Sequence, residues 1–72
     1  MLGYSIGEVV SERRGIDCFS NMIRFHLIGG KTKFFSSREI ADQYADLATR
    51  TSNIQIETLP VILLRDGKMI AY

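Results

Sequence analysis

The sequence predicts a small α+β domain: a mainly antiparallel sheet of four or five strands with one helix packed on one face, in the order ββ(β)αββ. Three observations predict it. Residues 20 to 28 alternate apolar and polar side chains and run into Gly29-Gly30. Residues 37 to 50 carry apolar side chains at helical spacing. Residues 61 to 72 are apolar on both sides of Asp66-Gly67. These segments leave no linker, repeat or low-complexity stretch, so residues 1 to 72 read as a single compact domain.

Taken in order, YSIGEVVSE (4–12) is rich in β-branched residues and predicts a strand, and RRGID (13–17) predicts a turn. From 20 to 28, Ile23, Phe25 and Leu27 fall on one face and Arg24 and His26 on the other. Gly29-Gly30 suits a two-residue hairpin turn, because glycine tolerates positive φ at both central positions. That turn would pair Leu27 with Thr32, His26 with Lys33, Phe25 with Phe34 and Arg24 with Phe35. An inner face would gather Ile23, Phe25, Leu27, Thr32 and Phe34. An outer face would gather Met22, Arg24, His26, Ile28, Lys31, Lys33 and Phe35.

The next segment, SSREIADQYADLATR (36–50), opens with Ser36 and Glu39 at capping-box spacing. Ile40, Tyr44, Leu47 and Ala48 recur at i, i+4, i+7 and i+8, with Ala41 and Ala45 beside them, which predicts a helix over 37–50 with Ile40, Tyr44 and Leu47 toward the core. Asp42, Gln43, Asp46 and Arg50 take the wet side. A strand follows from about Ile54. Asp66-Gly67 then predicts a second two-residue hairpin, pairing Leu64 with Met69, Leu63 with Ile70 and Ile62 with Ala71. Both faces of that hairpin are apolar, and one helix covers only one of them.

Composition narrows the function classes. A chain of 72 residues buries only about 60% of its unfolded surface, so its core is marginal without reinforcement. Cys18 is the only cysteine and His26 the only histidine, which excludes an intrachain disulfide and a Cys/His zinc site. Association with a partner is the remedy left open. Nine basic and eight acidic residues are too balanced to imply nucleic acid from charge alone. No apolar run approaches the roughly 18 residues of a membrane span, and Glu8 interrupts the apolar N-terminus, a poor signal peptide. A free thiol fits a reducing compartment, so the expected location is cytoplasmic.

No phosphate loop, metal cluster, or nucleophile with a base is apparent. His26 has cationic strand neighbours, which suits a solvent-facing histidine better than a base. Cys18 lacks a CxxC partner and reads as inert. Glu39, Asp42 and Asp46 fall on one side of the helix and read as a solvated face. A helix-turn-helix over 37–63 is disfavoured, because its second helix would be β-branched and contain Pro60. The stretch TLPVILLRDGKMI is similar to the segment of thioredoxin-like proteins that carries a cis-proline before a hairpin. It covers 13 of 72 residues, without a CxxC, and amounts to shared hairpin chemistry.

The expectation is therefore a small non-enzymatic binding or regulatory module of the inhibitor or adaptor type, acting through protein-protein contacts. It has no catalytic residues, no cofactor, no metal, no small-molecule substrate and no membrane. The alternative is a nucleic-acid-binding protein using the basic hairpin face. The candidate partner-binding residues are Arg24, His26, Lys31, Lys33 and Phe35. A homodimer, or an obligate protein partner, is expected at the uncovered face of the C-terminal hairpin, with Val61, Leu63, Ile70 and Tyr72 as the candidate interface.

Overall fold

The computed structural model describes residues 1–13, 15 and 19–72. Cys18 and most of the predicted 13–17 turn lie outside the described residues. The elements run β1 (Leu2–Arg13), β2 (Phe19–Phe25), α1 (Arg38–Ser52), β3 (Glu57–Leu63) and β4 (Met69–Ala71). The strands form one curled antiparallel sheet in the order β2-β1-β3-β4, with α1 on one face. This is the predicted α+β class in the order ββαββ. β1 joins the two halves: Leu2 to Gly7 pair with β3, and Gly7 to Arg13 pair with β2.

The fifth strand does not form. Gly29 and Gly30 take positive φ, as the turn requires, and Ile28 bridges Lys31. The ladder stops there. His26 donates its N–H to Ile6 O at 3.0 Å, and the chain then leaves the sheet until Phe35 exchanges two backbone hydrogen bonds with Tyr4, at 2.8 and 2.7 Å. Residues 27–34 are thus an excursion from the edge of β1. Ser5, fully buried in the sheet, donates its hydroxyl to Lys33 O at 2.7 Å and ties that excursion down.

The helix starts one residue later than its predicted cap. Ser37 is the N-cap, with no side-chain capping bond, and Asn53 closes the C-terminus in the left-handed conformation. Its buried residues are Ala41, Ala45 and Ala48. They meet Ile6, Phe35 and Ile56 in the core. This corrects the predicted inward stripe of Ile40, Tyr44 and Leu47. The alanines repeat the same i, i+4, i+7 spacing one residue later, about 100° around the helix. Their small side chains let the helix backbone sit close to the sheet.

Thr49 stitches this helix to the strand that follows. Its hydroxyl lies 2.9 Å from Ala45 O and 3.2 Å from Ile56 O, and it accepts the Ile56 N–H at 2.9 Å. Ile56 is buried, so water cannot replace these bonds. Thr49→Val keeps the shape and strands the Ile56 amide, which should cost about 1–3 kcal/mol in urea unfolding. Thr49→Ser should cost less. Equal stability of the valine variant and the parent would show that this bond contributes nothing.

The C-terminal hairpin forms with a register one residue away from the predicted one. The pairs are Val61 with Ala71, Ile62 with Ile70 and Leu63 with Met69. Gly67 donates to Leu64 O, Leu64 to Lys68 O, and Asp66 accepts the Lys68 N–H. Gly67 has φ 88. This is a three-residue loop, a turn followed by a left-handed glycine, and an Asp-Gly pair fits it as well as a two-residue turn. The shift exchanges faces across the hairpin. Pro60 is tolerated inside β3 because its missing N–H is directed at Tyr72, the last rung of the pairing with β4. No peptide bond is cis.

The face opposite the helix holds Ser5, Leu59 and Val61, all buried. It is closed from within the chain. The Phe34 ring lies against Gly3, and the Leu59 side chain lies against Gly7. Phe25 and Thr32 line a cleft with Gly67, Lys68 and Met69, at the start of β4.

Candidate functional site

With alanines inward, α1 turns its bulky apolar residues outward. Ile40, Tyr44 and Leu47 are 49%, 37% and 58% exposed. Their spacing puts them on one stripe. Full burial of a side chain of this size is worth roughly 1.5–3 kcal/mol, so half-exposing three of them forfeits a substantial part of that. Single exposed apolar residues are ordinary on protein surfaces. Three in one row, beside a cleft, are a candidate site.

The cleft lies between the stripe and the 26–35 excursion. Its volume is about 180 Å³, and Ile6, His26, Ile28, Tyr44, Leu47 and Thr51 line it. Ligand pockets are typically about 300–1,000 Å³. This cleft suits a single side chain of a larger partner better than a cofactor. Among the described residues, no group of three or more His, Cys, Asp or Glu side chains is gathered to hold a metal ion. No helix among them is long and apolar enough to cross a membrane.

The wall facing the helix is cationic. Lys33 Nζ sits 5.2 Å from the Tyr44 ring centroid and 5.8 Å from that of Phe35, and the two rings are 5.1 Å apart. Arg24 and Lys31 are exposed and His26 is half-buried. On the β2-β1 ladder Arg24 stands opposite Glu8, and His26 follows it beside Ile6. Even-numbered β1 residues face the helix, so Arg24 and His26 share its side of the sheet. The acidic helix residues are partly occupied elsewhere: Asp42 accepts the Thr58 hydroxyl, and Asp46 pairs with Arg50 at 2.9 Å.

Of the five predicted partner-binding residues, the fold thus places His26 in the cleft lining and Lys33 over the Tyr44 ring, and leaves Arg24 and Lys31 exposed. Phe35 is a correction. It is 5% exposed in the core, because pairing with Tyr4 points its side chain under the helix. The predicted interface set is also divided by the hairpin register. Val61 is fully buried on the face opposite the helix, and Leu63, on that same face, is half-buried. Ile70 and Tyr72 are 52% and 67% exposed on the helix side. Sequence reasoning missed the outward stripe of α1. The signal that could have found it was the second row, Ala41, Ala45 and Ala48, competing for the core. No protein-family model, no curated protein and no solved structure matches the chain.

Proposed function

We propose that this protein is a non-enzymatic binding module that docks a segment of another protein along α1. The observation that carries the reading is the outward row of Ile40, Tyr44 and Leu47 beside the cleft. An apolar row with a cationic wall complements a partner segment with apolar anchors and carboxylates at its flank, such as an acidic amphipathic helix. The cations steer and orient the segment, and the apolar anchors supply most of the affinity. The nucleic-acid alternative is weakened by the burial of Phe35, which removes the aromatic stacking platform from the basic face.

The test uses two fluorescent amphipathic helical peptides with the same apolar face, one acidic and one basic on the polar face. Anisotropy should report binding of the acidic peptide and little of the basic one. Leu47→Gln should weaken it about 10-fold or more. The exposed position should keep stability within about 0.5 kcal/mol. Arg24→Glu with Lys33→Glu should also weaken it and reduce its salt dependence. Failure of both peptides to bind, or an unchanged Leu47→Gln, would sink the reading. Affinity for mixed-sequence DNA or RNA that falls steeply with salt would replace it.

A further inference from the structure

We infer that two copies of this chain associate by antiparallel pairing of their β4 edges, on a surface separate from the α1 cleft. β4 is an outer strand of the sheet. Tyr72 donates to Pro60 O and Lys68 O accepts from Leu64, so Lys68, Ile70 and Tyr72 turn their backbone groups toward β3. In an antiparallel ladder the alternate residues, Met69 and Ala71, then direct N–H and C=O outward. Such an edge is a template for another strand.

The side chains make this edge self-complementary. Leu2 pairs with Ile62 and Ile62 with Ile70, so the three stand side by side across β1, β3 and β4 on one face. Leu2 is 69% and Ile70 52% exposed, and Ile62 is half-buried. The row ends at the open edge. A two-fold axis at Ile70 sets Met69 opposite the partner's Ala71 and forms about four interchain backbone hydrogen bonds. It also continues the row from Ile70 into the partner's Ile70. Lys68, which on an edge strand usually discourages pairing, falls opposite the partner's Tyr72, where an ammonium meets a ring rather than another ammonium. A foreign strand would satisfy the backbone, but it would not extend the apolar row by its own mirror. β4 has three residues, so the interface is small and the association is expected in the micromolar range.

Sedimentation of the intact chain from about 1 to 200 μM should show a monomer–dimer equilibrium, and an apolar contact of this kind should persist in about 0.5 M salt. Ala71→Pro removes one outward N–H without touching a bond to β3, and Ile70→Lys breaks the row. Each should shift the dissociation constant at least 10-fold toward monomer with an unchanged circular dichroism spectrum. Slowed amide exchange of Met69 and Ala71 at high concentration is the independent readout, and it needs no variant. A parent that stays monomeric throughout overturns the inference. So does a dimer that survives both substitutions, or one that Leu47→Gln dissociates, which would move the contact to α1.

Discussion

Phe35→Ala should destabilise this domain by about 3–5 kcal/mol, the usual cost of emptying a buried aromatic site. A chain of 72 residues has roughly 4–11 kcal/mol of total stability, so the variant should be largely unfolded at modest urea concentrations. The residue is 5% exposed and packs with Ile6, Ala41, Ala45 and Ile56 beneath the helix. Its loss also removes the ring beside Tyr44 and one of the two rings under Lys33. Phe25 is the internal control. It is half-buried on the other face, so Phe25→Ala should cost less. Urea unfolding of both variants decides the matter, and a larger loss at Phe25 would mean that the sides are exchanged.

Gly7→Ala should be strongly damaging for so small a change in β1. A β-carbon there would lie 2.6 Å from the Arg24 carbonyl oxygen and 3.0 Å from Leu59 Cδ1. The first neighbour is backbone, so relief requires β1 and β2 to separate at the point where β1 passes from one partner strand to the other. Overpacking of this kind costs about 1–3 kcal/mol, and the upper end applies where backbone must move. Gly29→Ala is the comparison. Its β-carbon would meet nothing within 4 Å, and the residue has φ 61. Only the conformational penalty remains, about 1–2 kcal/mol. A Gly7→Ala variant as stable as the parent would contradict the close approach of the strands.

The candidate site was half legible in the sequence. Arg24, His26, Lys31 and Lys33 were visible as a cationic set from strand alternation, and three of the four are exposed. Phe35 was misplaced because the predicted hairpin assumed an unbroken ladder beyond Gly29-Gly30. One backbone contact, Phe35 with Tyr4, outweighed that local pairing and drew the ring inward.

The sequence alone determined the element order, the helix within two residues at either end, and the turns at Gly29-Gly30 and Asp66-Gly67. Those are local properties: side-chain period, and glycine where φ is positive. Only the tertiary structure decided which face of each element is inside. The helix carries two rows of identical spacing, and periodicity cannot rank them; close approach of helix and sheet selected Ala41, Ala45 and Ala48. The hairpin loop accepts two lengths at one Asp-Gly, and a side-chain period of two turns that single residue into an exchange of faces. Val61 was thereby buried inside the curl, and Ile70 and Tyr72 were left outside, because the sheet closed one face on itself and a single short helix could not reach the far end of the other.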